Sequence, residues 1–220
     1  MSGYTDLWVR PESLQEGLTS LVWAASEGFE DLVLVCDEKR FIQYGEANLA
    51  LDLGLSIHWR VPLDLSSRVP GPGQIWGGSS VFVQLPPGRC DLKRIARVLG
   101  EIVRSGFTPV VVGAARSAEI QRQPELLRYL LAAGAVLCGL AGGVTGKYGN
   151  GCRVTSRRIA SLGYYDLFAG YVQEQVPVRE VIGHLEDARP VWRRTQSDWH
   201  LALQTRPRLL LREGKDHEGD

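Results

Sequence analysis

The run DLVLVC, residues 31–36, is an almost unbroken apolar stretch that predicts a buried strand. Strands that are apolar on both faces are typical of parallel sheets, because helices cover such sheets. A helix is predicted before this strand over residues 12–28, with Pro11 at its start and Gly28 as its cap. The stretch therefore lies within a strand–helix pattern that can be followed in both directions.

The same alternation continues along the first two thirds of the chain. The other predicted elements are a strand at residues 4–9, a helix at 44–54, a strand at 56–65, a strand at 81–85, a helix at 91–105, a strand at 108–114 and a helix at 124–135. Right-handed crossovers between parallel strands are the economical way to connect about five such units. The predicted fold class is α/β: a TIM-like barrel, complete or trimmed, or a parallel βα sheet, with a helical C-terminal extension.

Three segments are predicted from the composition. Residues 1–136 form a βα-repeat domain, residues 137–212 a mostly helical C-terminal region, and residues 213–220 a polar, disordered tail. Within the C-terminal region a helix is predicted over residues 156–174. Residues 66–80, rich in proline, glycine and serine, are predicted to be a binding loop or a flexible excursion.

Several classes of protein are excluded by the composition. No apolar run reaches about 18 residues, so a transmembrane helix is not expected. No secretory signal is visible, so a cytoplasmic location is expected. The four cysteines and four histidines are scattered, without the paired spacing of a zinc site. We therefore expect free thiols, no metal and no cofactor.

The middle of the chain is strongly basic, although the formal net charge of the whole is zero. Residues 89–160 carry 12 basic and 4 acidic side chains, a net of +8, whereas residues 1–88 carry 5 and 11, a net of −6. A local excess of this kind is typical of a surface that binds a polyanion. Exposed helix faces are the alternative explanation for any single residue.

The basic side chains of the middle segment are the candidate site residues. We interpret them as contacts to the phosphates of RNA or DNA. They are Arg89, Lys93, Arg94, Arg97, Arg116, Arg122, Lys147, Arg153, Arg157 and Arg158. Arg116 follows directly after a predicted strand, where parallel α/β folds bind their ligands.

A glycine-rich stretch, AGGVTGKYGNGCR, occupies residues 141–153. It fails as a Walker A loop, because Ala141 stands where the first glycine belongs and Tyr148 where the hydroxyl ligand of magnesium belongs. It also fails as a dinucleotide fingerprint, because Val154 replaces the third glycine. We interpret it as a flexible, cationic loop that contacts a polynucleotide backbone. A turn between two helices is the alternative.

Catalytic groups are not evident from spacing alone. The first strand carries Asp6, where metal phosphoesterases show an Asp-Leu-His-x-His run, but Trp8 and Arg10 replace both histidines. Asp6 is expected to pair with an arginine instead. His58 is predicted to be a packed strand histidine rather than a general base. No catalytic residue is assigned.

Two stretches resemble a known family. YTDLWVRPESLQEGLTSLVWAASEGFEDLVLV (residues 4–35) and SGFTPVVVGAARSAEIQRQPELLRYLLAAGA (residues 105–135) resemble protein component 3, the thirty-kilodalton subunit, of archaeal and eukaryotic ribonuclease P. The matching residues of the second stretch are Gly113, Ala114, Arg116, Ser117, Glu119, Ile120, Arg122 and Pro124.

This resemblance implies a TIM-like barrel that is not itself catalytic. The family binds the catalytic RNA together with a small protein partner subunit and supports removal of the 5′ leader from precursor tRNA. The chain departs from the family in lacking one or two βα units between residues 85 and 110. Its expected partners are thus structured RNA and a small protein, in a homo- or hetero-oligomer.

Two other functions stay open from the residues alone. The chain could be a small α/β enzyme that acts on a phosphorylated substrate, with Arg116 and Arg122 as phosphate clamps at strand ends. It could also be a non-enzymatic scaffold that uses the aromatic residues of its C-terminal region, such as Trp192 and Trp199, to bind a partner.

Overall fold

The computed structural model describes residues 4–10, 13–36, 38–59, 80–86, 88–170, 172–173, 184, 187–191, 201–207 and 209. The predicted loop at residues 66–80 lies outside the described residues except for Ser80, and so does the predicted tail at residues 213–220. In the described part of the chain, no helix has the length and apolar character that crossing a membrane requires.

Strands and helices alternate along most of the described chain. The elements of the first half are β1 Tyr4–Arg10, α1 Leu14–Ser26, β2 Phe29–Leu34, α2 Glu38–Ala50 and β3 Ser56–Trp59. Those of the second half are β4 Ser80–Gln84, α3 Leu92–Arg104, β5 Thr108–Val112, α4 Ala118–Arg122, α5 Leu127–Ala132, β6 Val136–Leu140, α6 Ala141–Thr145, α7 Asn150–Ser161, β7 Leu167–Ala169 and β8 Val172–Gln173. Short 3-10 turns cover Ala114–Arg116, Pro124–Leu126 and Arg189–Val191, and a π-helical turn covers Leu201–Thr205.

The described strands form two parallel sheets of four strands each. The strand order is β3-β2-β1-β8 in the first sheet and β4-β5-β6-β7 in the second. β8 follows β7 closely along the chain and pairs with β1 through Val9 and Val172. The chain therefore passes from the second sheet directly back to the first.

One apolar cluster joins the inner faces of both sheets. Val33 and Val35, from β2 and its end, pack there with residues of the second sheet: Phe82, Val110, Val112, Cys138, Leu140, Leu167 and Ala169. The alternate residues Leu32 and Leu34 belong to a second cluster that includes the helices. Because both sheets share one interior, the strands surround it as in a TIM-like barrel. The prediction of a parallel α/β fold is confirmed.

Helix α3 illustrates how the sequence determines the start of a helix and the face that it buries. Its buried residues, Leu92, Ile95, Leu99 and Ile102, are three or four positions apart and form one apolar face. Asp91 caps the helix, accepting hydrogen bonds from the backbone N–H groups of Lys93 at 3.0 Å and Arg94 at 3.1 Å. A cap of this type contributes about 1 kcal/mol.

The C-terminal region differs from the helical prediction, because most of β6 and all of β7 and β8 lie within it. The helix predicted over residues 156–174 ends at Ser161, where the N–H of Gly163 bonds to Ala160 O and that of Tyr164 to Ile159 O. Residues 167–169 form β7 and residues 172–173 form β8 instead; the side chains of β7 are all buried, and β7 pairs with β6. The prediction was wrong there because apolar residues buried on every side give no periodic signal. The division into domains at residues 136 and 212 stays a prediction.

Candidate functional site

The carboxyl ends of the second-sheet strands are the place where a ligand is expected in a parallel βα fold. Two connections at this end are joined by a short parallel bridge between Gly88 and Ser117. The backbone N–H of Ala118 donates to Gly88 O at 2.8 Å, and that of Gly88 donates to Arg116 O at 3.4 Å. The turn that carries Arg116 is thus tied to the connection between β4 and α3.

Side chains strengthen this link between the two connections. Glu119 Oε2 accepts hydrogen bonds from the backbone N–H of Cys90 at 2.8 Å and from Ser117 Oγ at 3.3 Å. Desolvation opposes ionisation of Glu119, but the hydrogen bonds from the N–H groups of Cys90 and Glu119 and from Ser117 lower its pKa. Burial raises the pKa of the Cys90 thiol, and the Glu119 charge raises it further despite the Ser117 hydrogen bond. This cluster of Glu119, Ser117 and Cys90 is therefore better suited to act as a clamp that holds the two connections together than to supply a thiolate nucleophile.

A small cavity of about 10 Å³ opens beside the same turn. Its lining includes Arg116, Cys138, Leu140, Gly143, Cys152, Ser156 and Tyr165. A cavity of this volume holds about one water molecule, so a larger group would lie at its opening, beside Arg116. Arg116 supplies its positive charge.

Three other polar groups of the lining, those of Tyr165, Cys152 and Ser156, are hydrogen-bonded to one another. Tyr165 is fully buried, which raises the pKa of its hydroxyl although that hydroxyl hydrogen-bonds with Ser156. Burial also raises the pKa of the Cys152 thiol, while the Ser156 hydrogen bond and the Arg116 charge lower it in part. Cys152 Sγ lies 3.8 Å from Ser156 Oγ. These groups supply no ionised nucleophile near neutral pH.

The glycine-rich stretch at residues 141–153 forms α6, a tight connection and the start of α7. A Cβ atom on Gly143 would lie 2.7 Å from Ser156 Oγ, and one on Gly142 would lie 3.2 Å from Tyr148 Cε2. Both glycines therefore permit close packing. Of the two interpretations, the geometry corresponds to the turn between helices.

Arg116 contacts an aromatic ring from this connection. Its Cζ atom lies 5.0 Å from the centroid of the Tyr148 ring, a cation–π distance. Tyr148 is partly buried and packs against the apolar cluster of the barrel interior. Sequence reasoning placed Arg116 at a strand end but missed this partner, because residues 32 positions apart give no local signal.

The other predicted basic residues are spread over several exposed surfaces. Arg89 lies before α3; Lys93, Arg94 and Arg97 lie along it; Arg122 ends α4; Lys147 precedes α7. Three residues of α7 contact nearby groups of the fold: Arg153 with Asn150, Arg157 with Val144 O, and Arg158 with Glu125. The structure thus brings Arg116 to the cavity and leaves the others outside its lining.

Two histidines have partners away from the cavity lining. His58 Nε2 on β3 lies 3.3 Å from Asp31 Oδ1 on β2, with both side chains mostly buried. This agrees with the expected packed histidine. His184 Nδ1 lies 2.9 Å from Thr145 Oγ1 at the end of α6. Its Nε2 is buried and has no hydrogen-bond partner among the described residues.

This chain is similar to known proteins in its structure. No family model and no curated protein matches the sequence. Nine chains of solved structures are similar. One has a TM-score of 0.72 and 15% identity, and covers 93% of this chain and 89% of its own. It comes from crystal structures of YwqE from Bacillus subtilis and CpsB from Streptococcus pneumoniae, described as unique metal-dependent tyrosine phosphatases. The shared property is the fold.

The metal of those phosphatases has no matching donor set in the described part of this chain. No group of three or more His, Cys, Asp or Glu side chains converges there. The ends of β2, β5, β6 and β7 carry Val35, Val112, Leu140 and Ala169, which offer no metal ligand. The side chain of Asp6, which was expected to pair with an arginine, lies outside the side chains that the structure describes.

The structural comparison corrects the ribonuclease P hypothesis. The structural match covers 93% of the chain, and the matched structure is described as that of a tyrosine phosphatase, not of a ribonuclease P subunit. The resemblance of residues 4–35 and 105–135 was therefore wrong, and so were the predicted roles in tRNA processing and endonuclease action and the expected RNA and protein-subunit partners. A strand, a turn and an amphipathic helix recur in parallel βα folds of unrelated function, so similarity in these features does not identify a function.

Proposed function

We propose that the chain is a small α/β enzyme that acts on a phosphorylated substrate, with Arg116 binding the phosphoryl group. The fold shared with a structure described under tyrosine phosphatases supports the substrate class. A cytoplasmic location is part of the proposal.

The position of Arg116 is the observation that carries the proposal. It lies on the 3-10 turn directly after β5, lines the cavity and is only partly exposed. A guanidinium offers five N–H donors in a planar fork that matches phosphoryl oxygens, and partial burial strengthens such bonds. Arg116 would bind and orient the phosphoryl group and stabilise the charge that its oxygens carry during phosphoester cleavage. Arg122, exposed at the end of α4, is a weaker candidate for a second clamp.

Hydrolysis of para-nitrophenyl phosphate by the purified chain tests the proposal. Arg116→Ala is expected to lower kcat/KM about 100-fold, the usual loss on removing one preorganised donor to a reacting group. Arg104→Ala is the matched control, because Arg104 is exposed at the other end of α3 and bonds only to Gly100 O of its own helix in the described contacts. Its activity should stay within about twofold of the wild type.

The assay is run with Mn²⁺ and with a chelator, because the described donor set does not match a metal site. Activity against phosphoesters in either condition, lost in Arg116→Ala and kept in Arg104→Ala, supports the proposal. A wild-type chain that cleaves no phosphoester in either condition, or an Arg116→Ala variant equal to wild type, contradicts it.

A further inference from the structure

The connection between α6 and α7 places one aromatic ring at the mouth of the barrel. Tyr148 lies between Gly146, which ends α6, and Gly149, which precedes α7. Backbone hydrogen bonds hold the connection: Lys147 N–H donates to Gly142 O at 2.8 Å, and Gly149 N–H donates to Gly146 O at 3.0 Å. The ring is therefore presented by an ordered backbone.

The ring is fixed on two further sides. A Cβ atom on Gly142 would lie 3.2–3.3 Å from Tyr148 Cε2, Cζ and Oη, so the ring lies directly on the backbone of α6. It also packs against both apolar clusters, that of the barrel interior and that of the helices. A ring with these contacts has few alternative rotamers.

Arg116 is the charged group that lies on this ring, with 5.0 Å between its Cζ and the ring centroid. A free arginine side chain has several rotatable bonds, and ordering it on binding costs affinity. A cation–π contact orders the side chain in advance and consumes no N–H donor. The contact with the ring therefore does not itself engage the N–H groups that bind an anion.

We propose that Tyr148 is a positioning residue that preorders the Arg116 guanidinium for a phosphoryl group, an inference that rests on the proposed function. Tyr148 itself does not need to touch the phosphoryl group. The ring face is the required part, and the hydroxyl is not.

Binding of inorganic phosphate, measured by calorimetry, tests this role. Tyr148→Leu removes the ring but keeps an apolar side chain, and it is expected to raise the Kd about 3- to 10-fold, consistent with the usual strength of a cation–π contact. Tyr148→Phe keeps the ring face and should bind within about twofold of the wild type. In the Arg116→Ala background, Tyr148→Leu should not lower the kcat/KM for para-nitrophenyl phosphate any further, because the two residues act through one contact.

A purely structural role of Tyr148 would lower the melting temperature without this dependence on Arg116. If the wild type binds phosphate and Arg116→Ala does not, while Tyr148→Leu binds as tightly as the wild type, the positioning role is wrong and the proposed function stands. If the wild type binds no phosphate, both are wrong.

A second measurement needs no variant and keeps the inference testable if Tyr148→Leu does not fold. In the wild type, NMR relaxation of the Arg116 Nε–Hε bond should show greater order than that of Arg97, which is exposed on α3. Equal disorder of the two bonds contradicts the positioning role.

Discussion

Two basic regions of this molecule differ in what their charges contact. On the turn after β5, Arg116 is partly buried, lines the cavity and lies on the Tyr148 ring. On the outer faces of α3 and α7, Arg97 and Arg158 are exposed, and Arg158 Nη2 pairs with Glu125 Oε1 at 2.6 Å. The comparison teaches that position at a strand end, rather than the number of positive charges, identifies the candidate anion site.

The largest expected difference between the two regions is in how much a larger side chain changes the free energy of unfolding. Gly143→Ala places a Cβ 2.7 Å from the buried Ser156 Oγ and is expected to destabilise the fold by about 1–3 kcal/mol. Gly100→Ala on α3 is the matched control: nothing lies within 4 Å of its Cβ, and it should stabilise the helix by roughly 0.5–1 kcal/mol. Urea unfolding measures both. Equal effects of the two substitutions would remove the distinction between a tightly packed mouth and an open helix face.

The clamp beside Arg116 should give a pH-dependent contribution to stability. Hydrogen bonds lower the pKa of Glu119 below its ordinary value of 4.5 despite opposing desolvation, so folding favours its ionised form. The stabilisation is complete above the unfolded-state pKa and is lost as the pH falls through the lower folded-state pKa. The free energy of unfolding of the wild type should exceed that of Glu119→Gln near about pH 7, and the difference should shrink by about pH 3. Urea unfolding at each pH measures this difference. A difference that grows as the pH falls would contradict the expectation.

A substitution on the outer face of α7 is expected to have the smallest effect on stability and activity. Both side chains of the Arg158–Glu125 pair are more than half exposed, at 56% and 60%, so solvent screens their attraction. Arg158→Ala is expected to change the free energy of unfolding by no more than about 0.5 kcal/mol and to leave phosphoester cleavage within about twofold. A large loss of activity in this variant would move the candidate site from the turn after β5 to α7.

Much of the fold could be predicted because its signals are local. The apolar runs of β2 and β5 and the periodic apolar face of α3 can be read within single segments. The placement of Arg116 at a strand end follows from the same reading. The charge sum over residues 89–160 favoured a polyanion surface because it counts solvent-facing residues, such as Arg97, together with Arg116.

The contacts that shape the candidate site could not be predicted. The close approach of Gly143 to Ser156, the hydrogen bond of Tyr165 and the contact of Tyr148 with Arg116 depend on how α6, α7 and β7 pack together. The spacing of four between Cys152 and Ser156 indicates a shared helix face, but nothing in it indicates a cavity. Tertiary packing therefore decides which of the many charged residues can act at one place.

The most direct test is a titration of the wild-type chain with inorganic phosphate, followed through the Nε–Hε NMR resonances of its arginines. The account predicts a saturable shift of the Arg116 resonance, with those of Arg97 and Arg158 nearly unchanged. Saturable shifts at Arg97 or Arg158 with an unmoved Arg116 resonance would contradict it.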